Sequence, residues 1–117
     1  MRHRVKKNRM NRAKGPRKLL LGNLATSIIL HGKIQTTKAK AKAVQPLIEK
    51  LIITAKEKDK RLAIQEVSAV LHNELSSKKL MEEITKKYKD RKTGFTRISE
   101  IGFRAGDNAP LAQIELV

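Results

Sequence analysis

Basic side chains dominate the first part of this sequence, and side chains of this type can bind phosphate groups. Arginine offers a planar fork of donors that binds phosphate bidentately, and lysine offers a mobile point charge. Residues 1–48 contain 13 basic residues and no acidic one, since the first acid is Glu49. Most of the net charge of +16 therefore lies in the first two-fifths of the chain. This pattern predicts a polyanionic partner, which is nucleic acid, an anionic membrane surface or a sulfated glycan.

The densest charge lies at the very start, where residues 1–18 carry nine basic residues. Asn8 and Asn11 add amide groups that can bond base edges or ribose hydroxyls. Residues 1–14 contain too few apolar side chains to offset their ordering entropy, so we expect an arm that orders on a partner. The predicted nucleic-acid contacts here are Arg2, His3, Arg4, Lys6, Lys7, Asn8, Arg9, Asn11, Arg12, Lys14, Arg17 and Lys18.

Two later groups of basic residues complete the predicted contact set. Three lysines, at positions 38, 40 and 42, are spaced i, i+2 and i+4, so the outer two share a helix face and the middle one points elsewhere. The alternative to nucleic-acid binding is that these lysines only form a solvated helix face. Arg97 alternates with apolar neighbours in a strand pattern. Arg104 lies in a glycine-rich loop, where it either contacts phosphate or pairs with Asp107. The three lysines are Lys38, Lys40 and Lys42.

Other chemistries find little support in the residue types. The sequence has no cysteine, and its three histidines are scattered without metal-binding spacing. Gly102 and Gly106 do not form a dinucleotide-binding fingerprint, since a strand rather than a helix follows them. We therefore expect no enzyme, no metal or cofactor, and no small-molecule substrate. Three dispersed aromatic residues are too few for a base-stacking sheet, so binding is expected to depend on phosphate and shape.

Membrane targeting is also not expected. The first ten residues have no apolar stretch after their charges, unlike a secretory signal, and every apolar run is too short to cross a bilayer. The arm lacks large apolar side chains opposite its charges, so it fails as a membrane-surface helix. These features predict an intracellular, soluble protein with no membrane partner.

Hydrophobic periodicity predicts the elements that position these side chains. Helices are expected over 16–31, 38–57, after Asp59, and over about 74–88, with strands at 33–36, 95–101 and 111–117. Gly32 fits a left-handed helix cap, and Pro46 either bends or restarts the second helix, with the unbroken apolar stripe favouring one bent helix. The predicted fold class is α+β: about four helices on one face of a small, two- to three-stranded mixed sheet. Residues 1–14 form an extended basic N-terminal arm in this prediction, and residues 15–117 form a single globular domain.

Several motifs resemble one known family along essentially the whole chain. The start Met1-Arg-His-Arg4, the block Ile34-Gln-Thr-Thr37 and the tail Gly102-Phe-Arg-Ala-Gly-Asp107 through Ile114-Glu-Leu-Val117 resemble the bacterial large-subunit ribosomal protein seventeen family. The chain departs from the family pattern where Glu100 replaces a more usual basic residue. The resemblance implies a two-layer α/β fold and a structural constituent of the large ribosomal subunit in the cytoplasm. It also implies binding to large-subunit rRNA, contacts with neighbouring ribosomal proteins, and no catalysis.

The alternative function is that of a DNA-architectural protein of the nucleoid type. Such a protein needs an apolar wedge that enters the base stack or a clear dimer surface. The sequence offers neither clearly, so rRNA binding is the preferred hypothesis.

Overall fold

Four helical regions and three strands account for most of residues 13–117, which are the residues that the structure, a computed structural model, describes. Apolar residues at helical spacing form the helices, and the β-branched and alternating segments form the strands. The elements are α1 (Lys14–His31), β1 (Lys33–Thr37), α2 (Lys38–Glu57), α3 (Lys60–Val70), α4 (Glu74–Lys79), a π-helical turn (Leu80–Ile84), α5 (Thr85–Lys87), β2 (Thr96–Phe103) and β3 (Pro110–Leu116).

The last strand along the chain is the central strand of the sheet. The strand order is β1-β3-β2, and both pairings are antiparallel. Ile114 of β3 lies opposite Ile34 of β1 and Ile98 of β2, so these three residues share one face. The prediction of a mixed sheet is wrong, because β1 enters the sheet in the same direction as β2 and both run against β3. A bulge between Glu100 and Gly102 shifts the β2 register.

The helices cover one face of this sheet and enclose the core with it. From β3, Ala112 and Ile114 point into the core and are fully buried. The helix α2 supplies the largest share of the buried residues, and it contacts both β2 and β3. This arrangement confirms the predicted α+β class with helices on one face. The fully buried apolar residues include Ile28, Ile29, Val44, Ile48, Ile52, Val67, Leu71, Leu80 and Phe95.

The first helix begins two residues earlier than predicted. Ala13 is its N-cap, and the backbone N–H of Arg17 donates to the carbonyl of Ala13 at 3.0 Å. Pro16 is therefore the third helical residue, where a proline still lacks no needed donor because the first four N–H groups have no intrahelical acceptor. Gly32 has φ 81° and confirms the predicted left-handed cap. Lys14, assigned to the arm, belongs to α1, while the rest of the division into arm and domain stays a prediction.

The second helix is continuous across Pro46, so the alternative of a restart is wrong. It spans Lys38–Glu57, as predicted. Pro46 itself is exposed, so the carbonyl of Lys42 that it leaves without a donor lies on the solvent side. Buried residues on both sides of the proline, Val44 and Ile48 among them, hold the two halves against the same core.

The fourth helical region lies over 74–87 and contains a wider turn at Leu80–Ile84. Asn73 caps it, because its side-chain oxygen accepts from the backbone N–H of Leu75 at 2.9 Å. The region ends at Tyr88, which is only 3% exposed. The Tyr88 hydroxyl donates to the backbone oxygen of Val117 at 2.7 Å, and this contact connects the end of the helical region to the end of β3.

Candidate nucleic-acid interface

Nine of the predicted contact residues precede the part of the chain that the structure describes. They are Arg2, His3, Arg4, Lys6, Lys7, Asn8, Arg9, Asn11 and Arg12. Their roles stay predictions from the sequence. The other eight predicted contacts lie on α1, α2, β2 and the loop after β2, and their surroundings can be compared directly.

Three of these eight lie in the first two turns of α1. Lys14 and Lys18 are exposed and four residues apart, so they lie on one helix face, while Arg17 is half-buried. The first turn of α1 contains no acidic residue, and its N-cap residue Ala13 makes no side-chain cap hydrogen bond. Free amide donors and three cations thus give this end of α1 a positive potential.

The start of α2 carries the three predicted lysines, and one of them is already paired. Lys38 donates to the Glu100 carboxylate of β2. This hydrogen bond lowers the pKa of Glu100, and the charge of Lys42 lowers it further. Lys38 and Lys42 therefore do share one face, as predicted, and Glu100 partly neutralises that face. Lys40 is half-buried and does not contribute to the Glu100 shift.

The structure keeps the two helix starts apart. Lys18 lines an apolar groove of about 280 Å³ together with Leu19, Leu47 and Val70. Leu47 follows Lys38 by nine residues on α2, which corresponds to about 13 Å along the helix axis. The basic ends of α1 and α2 are thus two separate positive surfaces.

Arg97 lies on the outer face of the sheet, away from the helices. It is exposed, and its guanidinium lies 3.8 Å from the Glu115 carboxylate. On the other side of β3, Lys33 of β1 is also paired with Glu115 in the antiparallel register. One acid thus lies between two bases in this row, which leaves a modest positive charge on the outer face.

Of the two alternatives for Arg104, the structure contains the ion pair with Asp107. The Arg104 guanidinium donates twice, from Nε to Oδ1 at 3.0 Å and from Nη2 to Oδ2 at 2.7 Å. Asp107 Oδ1 also accepts the backbone N–H of Ala109 at 3.2 Å. The Arg104 hydrogen bonds, helped by the Ala109 N–H, lower the pKa of Asp107 to about 2. The pair fixes the loop, so the predicted phosphate contact of Arg104 requires a ligand that competes with Asp107.

A further concentration of positive charge lies outside the predicted contact set. Residues 86–92 contain five basic residues and one acid, Asp90. The signal is visible in the sequence, but lysines at a helix end also complement the helix dipole, and that interpretation accounts for Lys86 and Lys87 without a ligand.

Other kinds of site are not found in residues 13–117. No group of three or more histidine, cysteine or acidic side chains comes together there to hold a metal ion. Within the same residues, no helix combines the length and the apolar character needed to cross a membrane.

Comparison with known proteins gives a match over the chain. Residues 20–117 match the family model of ribosomal protein L17. The chain is 45% identical over 117 residues to the large ribosomal subunit protein bL17 of Neorickettsia sennetsu, with full coverage of both chains. It is 45% identical over 120 residues to bL17 of Akkermansia muciniphila, covering 85% of that protein. It is 43% identical over 124 residues to bL17 of Thermotoga sp. strain RQ2, covering 95% of it.

Proposed function

The chain belongs to the ribosomal protein L17 family, and from this we propose that it is a structural constituent of the bacterial large ribosomal subunit that binds large-subunit rRNA through phosphate contacts. As a family member it is a protein of the cytoplasmic ribosome and not an enzyme. The relatives compared above are named as proteins of the large subunit, and this chain covers 85% to 100% of their length.

The observation that carries the rRNA proposal is the distribution of charge. The first 48 residues have no acid to neutralise their 13 bases. Such a segment lowers the repulsion between RNA phosphates where helices converge, because it replaces their condensed counterions. The positive first turns of α1 and α2 extend this surface onto the folded part of the chain.

The folded part serves as a rigid base from which the arm reaches into RNA. Among the described residues, the buried apolar core lies within residues 25–114. Neighbouring ribosomal proteins are the other proposed partners. Phe103 and Ile101 are exposed on β2 and offer apolar surface that a neighbour can cover.

A gradient experiment tests membership of the subunit. A tagged full-length chain is expressed in cells, and their ribosomal subunits are separated on a sucrose gradient at moderate salt. We expect the protein to sediment with the large subunit. Recovery only in the free fraction would overturn the proposal.

A competition experiment tests the kind of nucleic acid and the role of the arm. Full-length protein is bound to large-subunit rRNA and challenged with duplex DNA, and we expect the RNA complex to persist. Preference for the duplex would favour the DNA-architectural alternative instead.

A full-length variant with glutamine at all six basic positions of residues 1–12 is expected to keep its thermal unfolding transition and to bind RNA with a much shallower salt dependence. An unchanged salt dependence would show that the arm does not contact phosphate.

A further inference from the structure

Residues 49–117 have their excess positive charge in one short segment. Residues 86–92, which we call the basic turn, contain five basic residues and one acid. Outside the basic turn, residues 49–117 contain nine basic and ten acidic residues. The remainder of this part of the chain is therefore almost neutral, and general solubility does not explain why the excess lies in seven consecutive residues.

The backbone of the basic turn is held firmly while its charges face outward. Tyr88 is buried, and its backbone N–H donates to Ile84 at 3.1 Å while its hydroxyl bonds Val117. Lys56 from α2 donates to the carbonyl of Arg91. The five basic side chains are all exposed, and they are Lys86, Lys87, Lys89, Arg91 and Lys92. Because the backbone is already ordered, it loses little backbone entropy when the outward cations bind an extended anion.

The charges of the basic turn are not cancelled within the described part of the protein. The ion pairs among residues 13–117 involve Lys38, Lys58, Arg97 and Arg104, and none of the five bases of the turn takes part in one. Lys87 and Arg91 instead border a concave surface of about 300 Å³ with Tyr88, Asp90 and Val117. The surface is open and polar, and two cations at its rim suit a phosphate group better than an apolar ligand.

The basic turn and the first described residues of the chain lie near opposite ends of α1. The backbone N–H of Leu116 donates to Gly32 at 2.9 Å, so the end of β3, and with it Tyr88, lies beside the C-terminal end of α1. The arm joins α1 at its N-terminal end. Because α1 has 18 residues, these two ends are about 27 Å apart.

We propose that the basic turn is a second RNA-phosphate-binding site, which contacts an RNA segment different from the one that binds the arm. This inference rests on the proposed rRNA binding and adds a second point of contact to it. Two contacts on one rigid body fix the relative position of two RNA segments. They also strengthen each other, because binding at one raises the effective concentration at the other.

Two full-length variants with the same net charge test the proposal. The turn variant carries Lys86→Gln, Lys87→Gln, Lys89→Gln and Lys92→Gln, and it keeps Arg91 because that guanidinium donates to the Gly94 carbonyl at 3.2 Å. The control variant carries Lys50→Gln, Lys60→Gln, Arg61→Gln and Lys78→Gln, which are exposed residues outside any ion pair of the described chain. Circular dichroism with heating verifies that both variants fold like the wild type.

Binding to protein-free large-subunit rRNA is measured over a range of KCl concentrations. Each phosphate contact contributes about 0.7 to 0.9 to the slope of log K against log salt, depending on strandedness, so we expect the turn variant to lose at least about two units of slope. At moderate salt its affinity is expected to fall roughly tenfold, and the control variant is expected to change far less. If the wild type binds rRNA tightly and the two variants have the same affinity and salt dependence, the second site is overturned and the proposed function is not. Failure of the wild type to bind rRNA would overturn the proposed function itself.

Hydroxyl-radical footprinting of the RNA then tests whether the two contacts are distinct. We expect the wild type to protect at least two RNA segments. The turn variant is expected to lose protection of one, and the variant with glutamine at the six basic positions of residues 1–12 is expected to lose protection of another. Loss of the same single segment in both variants would contradict two separate sites. Unchanged protection by the turn variant would also contradict the proposal, and an acidic protein neighbour would then be the better ligand for the turn.

Discussion

Gly22 of α1 is expected to be intolerant of even one added methyl group. It is buried where α1 passes the last residue of α3, and a Cβ built on it would lie 2.9 Å from the backbone oxygen of Val70. Ordinary contacts between a carbon and a carbonyl oxygen are about 3.3–3.6 Å long. Because the obstacle is backbone and not the end of a flexible side chain, Gly22→Ala requires a shift of one helix against the other.

Two opposing effects determine the size of the change. Alanine favours the helix over glycine by about 1 kcal/mol, and overpacking a core costs about 1–3 kcal/mol. We therefore expect Gly22→Ala to lower the free energy of unfolding by about 1 kcal/mol, with an upper limit near 2 kcal/mol. Gly15 provides the control in the same helix, since a Cβ there meets nothing within 4 Å beyond its own chain neighbours. Gly15 precedes Pro16, whose ring crowds a Cβ on a helical residue before it, and this offsets the helix preference of alanine. Gly15→Ala is therefore expected to change the free energy of unfolding by less than about 0.5 kcal/mol.

Urea denaturation of the full-length chain, followed by far-UV circular dichroism, measures both variants against the wild type. Equal m-values ensure that the difference in midpoint reports stability and not a change in the unfolded state. The reasoning would be refuted if Gly22→Ala were as stable as Gly15→Ala. That result would mean that the end of α3 moves away from α1 without cost.

Two further predictions concern hydrogen bonds near the chain's later strands. Tyr88→Phe removes the donor to the backbone oxygen of Val117 and is expected to lower the free energy of unfolding by about 1 kcal/mol, measured by the same urea titration. An unchanged free energy would show that this bond is not formed in solution. The Asp107 carboxyl, followed by NMR, is expected to titrate at about 2, and in Arg104→Gln its pKa should return toward 3.8. Because the folded pKa is lowered, the pair's contribution is complete above about pH 4 and disappears as the pH falls through 2. A carboxyl that titrates near 3.8 in the wild type would contradict the bidentate pair.

The regular elements were predictable because their apolar residues face a single core. The spacing of Val44, Ile48 and Ile52 predicts one face of α2, and this face outweighs the local effect of Pro46. The alternation of Ala112 and Ile114 likewise predicts the buried face of β3. In each case the local pattern and the tertiary packing favour the same structure.

Features that depend on a distant partner were not predictable from local sequence. The strand order depends on the pairing of β3 with β1, which lies far away along the chain. The bulge near Glu100 has no local signature in the sequence. The wider turn at Leu80–Ile84 likewise has no local signature in the sequence. The pairing of Lys38 with Glu100 spans 62 residues, so sequence spacing alone left Lys38 free to bind a ligand. Sequence alone likewise does not decide whether Arg104 pairs with Asp107 or contacts phosphate, because this depends on the geometry of the loop.

The central position of β3 has a consequence for how the protein is made. Both β1 and β2 pair only with β3 within the described sheet, and β3 occupies residues 110–116. During synthesis the chain emerges from its N-terminus, so the basic segment and the first helices are available before any sheet pairing is possible. Association with an anionic partner can thus begin while the domain is still incomplete, and closure of the sheet is the step that ends its folding.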